Sequence, residues 1–132
     1  MTRHEQRLVA ALIEGLVDPR PPLPTVGQTD AVEAFEAALR PGPAFNRLGL
    51  RLAVRVLDRC APRLAGERAP LHRLPRERRD AALQAAARHR VLGALLEPLR
   101  GVAHLAYYGD LSVLRGLGYD PEAVRARARS AA

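Results

Sequence analysis

The sequence has 132 residues, of which 48% are hydrophobic and 27% are charged, with a formal net charge of +7 at pH 7. A chain of this length forms one domain that buries about two-thirds of its unfolded surface, and its hydrophobic content excludes disorder over the whole chain. All 21 basic residues are arginine, and a single cysteine excludes an intrachain disulfide. Only two phenylalanines, three tyrosines and no tryptophan are present, so the core must be built from leucine, valine and alanine, which suits closely packed helices.

The chain begins with a predicted helix and a proline-rich link. Thr2 and Glu5 have the spacing of a capping box, which places the first helix at residues 3–17. Residues 19–29 contain several prolines and lack periodicity, so they are expected to form an irregular link. The predicted buried face of the first helix is Leu8, Val9, Leu12, Ile13, Leu16 and Val17.

Two further helices are predicted in the first half of the chain. Asp30 and Glu33 also have capping-box spacing, so the second helix is expected to run from there to about Leu39. The third helix is expected over residues 44–61. Its apolar spacing predicts a buried face of Phe45, Leu48, Leu52 and Val56, with Leu50, Val54 and Leu57 alongside.

The third helix carries an arginine at every fourth position, which aligns the side chains along one slowly winding ridge. These residues are Arg47, Arg51, Arg55, Arg59 and, just past the helix, Arg63. One interpretation is a solvated face whose carboxylate partners lie on other helices. Another is a basic strip that binds an acidic surface of a second protein. Nucleic acid is disfavoured as the partner, because interleaved aromatic residues and Gly-rich loops are missing.

The second half of the chain is also predicted to be helical. Residues 62–74 are expected to form a second irregular link, after which a fourth helix begins at Pro75 and extends to about His89. A further helix covers residues 90–97, where Pro98 either kinks it or begins another.

The last segment, residues 121–132, is predicted to be a C-terminal helix with a frayed end. No segment of the sequence has the sustained alternation and β-branched enrichment of a strand. We therefore predict a single all-α domain over residues 1–132, an irregular bundle of five or six helices joined by Pro-rich links, without a sheet.

All three tyrosines lie within 13 residues near the C-terminus. The sequence reads Tyr-Tyr-Gly-Asp at 107–110, then a short apolar segment, then Leu-Gly-Tyr-Asp-Pro at 117–121. Gly109 is expected to follow a helix in the left-handed conformation, and Asp110 to cap a short helix that ends near Gly118. Because tyrosine is enriched at interfaces, the cluster predicts a contact surface. In the alternative interpretation, the rings cover helix ends within the domain.

This succession resembles the C-terminal half of the gluconate 2-dehydrogenase subunit 3-like family, and the likeness extends loosely to the Leu-Pro-x-x-x-Arg helix start at residues 74–79. Members of that family are small accessory subunits of large FAD-dependent dehydrogenases of the glucose-methanol-choline type. The resemblance implies a non-catalytic chain that associates with such an oxidoreductase and supports its folding or stability. The FAD is expected on the partner, and no cofactor, metal or catalytic residue is expected on this chain.

The histidines provide the test of an enzymatic alternative. His4, His72, His89 and His104 lack the spacing of metal ligands or of a catalytic pair on one helix face. A small enzyme is expected only if the fold places a histidine beside a carboxylate in a cleft. A stand-alone helical interaction or regulatory protein with an acidic partner is the other alternative.

The predicted partner-binding residues are therefore Tyr107, Tyr108, Gly109, Gly118, Tyr119, Arg47, Arg51, Arg55 and Arg59. The N-terminal sequence lacks an Arg-Arg pair, and no run of about 18 apolar residues occurs. Neither an export signal nor a transmembrane helix is predicted, and a cytoplasmic location is expected.

Overall fold

The computed structural model describes residues 2–40, 44–118 and 121–131, which form seven α-helices. The helices are α1 (Arg3–Val17), α2 (Ala31–Leu39), α3 (Ala44–Leu64), α4 (Arg76–Arg88), α5 (Arg90–Tyr108), α6 (Leu111–Gly116) and α7 (Pro121–Ala131). The two predicted links each contain a short 3₁₀ turn, Val26–Gln28 in the first and Leu71–Arg73 in the second. None of the described residues belongs to a strand, so the predicted all-α fold is confirmed. The described residues form seven helices, whereas five or six were expected.

Helices α1 and α5 form the centre of the bundle. Helix α5 packs against α1, α2, α3 and α4, and α1 also packs against α2, α3 and α4. The predicted face of α1 is confirmed, with Val17 half-buried and the other five side chains buried. The buried residues of α5 are Leu92, Leu96, Leu99, Ala103, Ala106 and Tyr107.

Helix α5 continues through Pro98, where the sequence predicts either a kink or a new helix. Proline has no N–H, so the carbonyl of Ala94 loses its partner in the helix. Both Ala94 and Pro98 are exposed, which leaves that carbonyl on the water-facing side of the helix. A single helix of 19 residues can therefore span the bundle.

The predicted buried face of α3 is partly wrong. Leu48 and Leu52 are 65% and 61% exposed, whereas the residues that are buried are Ala53, Val54, Leu57, Asp58, Ala61 and Pro62. Alanines on the buried face let α3 approach its neighbours closely. The predicted face was based on the large apolar residues and therefore did not include these alanines. The side chain of Phe45 lies outside the part that the structure describes.

The start of the second predicted link is also corrected, because α3 continues past Pro62 to Leu64. Gly66 ends it, with a φ of +78° that favours glycine. The N–H of Glu67 then donates to the carbonyl of Pro62 at 2.9 Å, which is the outer bond of a Schellman cap. The link is therefore shorter than residues 62–74.

The start of α2 differs from the prediction, because the Asp30 side chain makes no capping hydrogen bond. The hydroxyl of Thr29 instead accepts from the N–H of Ala31 at 3.2 Å. The N–H of Asp30 donates to the carboxylate of Asp110 at 2.9 Å, which joins the start of α2 to the start of α6.

Tyr107 fastens the first Pro-rich link to α5. Its ring is fully buried, and its hydroxyl donates to the carbonyl of Pro24 at 2.6 Å. Burial, with contributions from Tyr108 and Asp110, raises the pKa of the Tyr107 phenol, so the hydroxyl remains a donor near neutral pH.

The Tyr107→Phe substitution removes this hydrogen bond without changing the ring. We expect it to lower the free energy of unfolding by about 1 kcal/mol, because the Pro24 carbonyl loses its donor. The measurement is chemical denaturation followed by circular dichroism. Tyr108→Phe is the matched control and is expected to change stability by less than about 0.5 kcal/mol; an equal loss in both variants would contradict the assignment.

Candidate functional site

The predicted tyrosine cluster divides between the core and the surface. Tyr107 belongs to the core, as described above, and so cannot contact a partner directly. Tyr108 is 38% exposed, packs edge-on against Tyr107 with ring centroids 5.1 Å apart, and stacks on His104 at 6.0 Å. Tyr119 lies outside the described residues. One of the two described rings is therefore available at the surface.

Two large apolar side chains near Tyr108 in sequence are exposed at the end of α5 and the start of α6. Leu105 is 78% exposed and Leu111 is 56% exposed, and both line one cleft of about 340 Å³ between α2, α5 and α6. We call Leu105, Tyr108 and Leu111 the α5–α6 surface. Single exposed leucines are common, but large apolar side chains gathered around a concavity are typical of interaction sites. Sequence reasoning found Tyr108 but not the two leucines, because they belong to apolar helical patterns that predict burial.

The glycines and the aspartate near this surface set the turn between α5 and α6. Gly109 has a φ of −80°, so the predicted left-handed conformation is wrong at this position. It is still required, because a Cβ there would lie 2.7 Å from the carbonyl oxygen of Leu105. The left-handed glycine occurs at Gly118, with a φ of +80°, after α6 has ended.

Asp110 caps α6 as predicted, because its carboxylate accepts from the N–H of Ser112 at 2.9 Å. Burial of Asp110 opposes ionisation, but the hydrogen bonds from Ser112 and from the N–H of Asp30 outweigh it and lower the pKa of this carboxyl. The carboxylate therefore stays ionised and holds α6 against α2, beside the α5–α6 surface.

A buried carboxylate forms hydrogen bonds with two arginines of the predicted ridge and not with the others. Glu5 of α1 is 4% exposed, and it accepts from Arg51 at 2.8 and 3.1 Å and from Arg55 at 2.6 Å. The predicted capping box is thus only half formed, since Thr2 accepts from the N–H of Glu5 while the Glu5 side chain turns to the arginines. Two predicted partner-binding arginines therefore have a carboxylate partner within the chain. Arg47 is exposed.

Hydrogen bonds from Arg51, followed by those from Arg55, lower the pKa of Glu5 from 4.5 to about 2 against the opposing effect of burial. A carboxylate with such a low pKa in the folded state stabilises the fold while it is ionised. The salt bridges of Glu5 with Arg51 and Arg55 therefore join α1 to α3 and stabilise the fold.

The remaining arginines of the ridge line a second cleft. Arg59 and Arg63 of α3 border a space of about 300 Å³, which Arg68 and Arg73 of the second link also line. None of these four arginines forms an ion pair with a described residue, in contrast to Arg51 and Arg55. We call this space the cationic cleft.

His72 and Asp58 lie together on the wall of the cationic cleft. The Asp58 carboxylate is buried and accepts from the backbone N–H of His72 at 3.0 Å, and it lies 2.9 Å from the Nδ1 atom of the same residue. A proton on Nδ1 therefore faces Asp58, which leaves Nε2 for a molecule in the cleft. The ring of His4 meets the ring of His72 edge-on, with centroids 5.5 Å apart.

The fold thus places one histidine beside a carboxylate in a cleft, which sequence spacing did not reveal because residues 58 and 72 belong to different elements. This pair can orient Nε2 to accept a proton or, when the ring is protonated, to donate a hydrogen bond to an oxyanion. The described residues that line the cleft include no serine, threonine, cysteine or lysine. Two further histidines contact backbone, with His89 Nδ1 accepting from the N–H of Leu92 and His104 Nδ1 lying 2.8 Å from the carbonyl of Arg100.

Comparison of the chain with protein-family models, with curated proteins and with solved structures gives no match. None of the described helices combines the length and the apolar composition that a bilayer crossing requires. Within the same residues, no group of three or more His, Cys, Asp or Glu side chains is placed to hold a metal ion. The fold defines an all-α protein, and two of its concave surfaces, one bordered by exposed leucines and one cationic, are the candidate sites.

The Glu5→Gln substitution tests the bond between α1 and α3. The folded-state pKa is below the unfolded value, so the stabilisation is present above about pH 4.5 and is lost as the pH falls towards about 2. Because both arginines are half exposed, we expect a loss of about 2 kcal/mol at pH 7 and almost none at pH 2. The measurement is urea denaturation across this pH range.

Glu33→Gln, which changes an exposed glutamate of α2, is the control for this experiment. We expect it to change the free energy of unfolding by less than about 0.5 kcal/mol. If Glu5→Gln left the acid dependence of stability the same as in the unmodified chain, the assignment of Glu5 would be wrong.

Proposed function

We propose that this protein is a non-catalytic accessory subunit that binds a large flavin-dependent oxidoreductase and supports its folding or stability. The α5–α6 surface is the observation that carries the proposal. The identity of the partner rests on the resemblance of residues 107–121 to the gluconate 2-dehydrogenase subunit 3-like family. In this proposal the FAD belongs to the partner, and this chain supplies a docking surface.

The composition of the α5–α6 surface supports a protein partner. Leu105 and Leu111 expose apolar area that burial would remove from water, at about 25 cal/mol per Å². Tyr108 adds a rigid amphipathic ring of the type enriched at interface centres. Asp30 and Asp110 line the adjacent cleft and form its polar rim. An apolar centre with a polar rim is the usual anatomy of a protein interface.

The way in which this surface is held also supports docking. The buried ring of Tyr107 contacts the ring of Tyr108 edge-on. The carboxylate of Asp110 accepts a hydrogen bond from the N–H of Asp30, which joins α6 to the start of α2. The side chains that would meet the partner are thus presented by supported helices, which reduces the entropy lost on binding. The partner would gain a rigid apolar surface against which one of its own elements can pack.

The proposal is tested by purifying the tagged chain from its native cell and measuring the FAD that co-purifies, with mass spectrometry to identify the flavoprotein. In the Leu105→Arg, Leu111→Arg double variant we expect a loss of at least about tenfold in bound FAD. An arginine at the buried centre of an interface would be desolvated without a partner, which costs several kcal/mol.

The matched control is the Leu48→Arg, Leu52→Arg double variant. These leucines of α3 are equally exposed, at 65% and 61%, but lie on another helix, so this variant is expected to retain the flavoprotein. Recovery of no flavoprotein with the unmodified chain would refute the proposed partner. An equal loss in both double variants would refute the assignment of the α5–α6 surface.

A further inference from the structure

We propose that the cationic cleft binds the phosphate group of a small soluble molecule. The cleft lies between the first turn of α1, the second half of α3 and the 3₁₀ turn Leu71–Arg73, away from α5 and α6. The inference therefore stands independently of the proposed function. It depends on the charges that line the cleft, on the orientation of His72 and on the size of the space.

The charges around the cleft are unbalanced. Four arginines, Arg59, Arg63, Arg68 and Arg73, line it together with a single carboxylate, Asp58. That carboxylate is buried and is occupied by the backbone and ring of His72, so its hydrogen bonds are not directed to the arginines. Elsewhere in the described chain, Arg51, Arg55, Arg76 and Arg79 each have a carboxylate partner. Four arginines that line one concave space suit an anion, because the planar guanidinium forks match phosphate oxygens in pairs.

His72 lines the same cleft as the four arginines, and its contact with Asp58 fixes the orientation of its ring. Asp58 engages Nδ1, and the edge-on ring of His4 restricts how the His72 ring can rotate. Nε2 can accept a hydrogen bond from a monoprotonated phosphate or, when the ring is protonated, donate one to the dianion. His4 belongs to the first turn of α1, so the positive end of that helix dipole lies beside the same space.

The size of the cleft favours a small ligand. Its volume is about 300 Å³, at the lower end of the range of about 300–1,000 Å³ for small-molecule sites. A phosphate group with a short organic part fills such a space. The concave shape and the inward histidine distinguish the cleft from a flat basic strip that would meet an acidic protein surface.

The test is a titration of the full-length, ¹⁵N-labelled chain with inorganic phosphate at constant ionic strength, followed by NMR. We expect saturable shifts of the His72 ring signals and of the backbone amides of His72 and Arg73. The ring signals of His104, which bonds a backbone carbonyl on α5, should not move. Saturable shifts at His72, with none at His104, would locate the anion in the cleft.

The Arg63→Gln, Arg68→Gln double variant is expected to weaken phosphate binding by about tenfold or more, because two exposed guanidinium donors are lost. Arg88→Gln, Arg90→Gln removes the same charge at the far end of α4, a helix of 13 residues and therefore about 20 Å long. At that distance the charges are screened, so this control should change the affinity by less than about twofold.

Three outcomes would overturn the inference. Shifts that stay linear in phosphate without saturating would exclude a site. Equal weakening in both arginine double variants would indicate a general effect of net charge. Saturable binding of a poly-glutamate peptide, with none of phosphate, would assign the cleft to an acidic protein.

Discussion

A buried carboxylate on the first helix determines how the third helix lies in the bundle. Glu5 has to be paired, because an unpaired charge in the interior costs several kcal/mol, and within the described part of the chain its partners are Arg51 and Arg55. With those two arginines turned towards α1, the helical period directs Leu57 and Asp58 into the interior. The same rotation turns Leu48 and Leu52 outwards. The two ion pairs of Glu5 thus accompany a buried face that apolar spacing alone predicted only in part.

The same orientation of α3 creates the cationic cleft. Asp58 is brought to the wall beside the second 3₁₀ turn, where it holds the backbone and ring of His72. Arg59 and Arg63 follow on the outer side and have no carboxylate of their own among the described residues. A ridge that looks uniform in sequence therefore contains two kinds of arginine, those that stabilise the fold and those that line an open site.

The α5–α6 surface depends on a different constraint, the burial of α5 by four other helices. Tyr107 and the leucines that precede it at helical spacing are covered, and the turn at Gly109 then redirects the chain into α6. Leu105 and Tyr108 remain on the face of α5 that nothing within the described chain covers. The two surfaces are formed by separate elements of the fold.

The amino-acid sequence determined the all-α class, the bounds of α1 and α2 to within a residue or two, the buried stripe of α1 and the cap at Asp110. These features depend on residues within about one helical turn of each other, and local sequence contains that information. It did not determine the partner of Glu5, the continuity of α5 through Pro98 or the pairing of Asp58 with His72. Each of those depends on which elements pack together and on which side of a helix meets water. Residues 5 and 51, like 58 and 72, become neighbours only when the helices assemble, and the free energy of that packing is not contained in any short stretch of the chain.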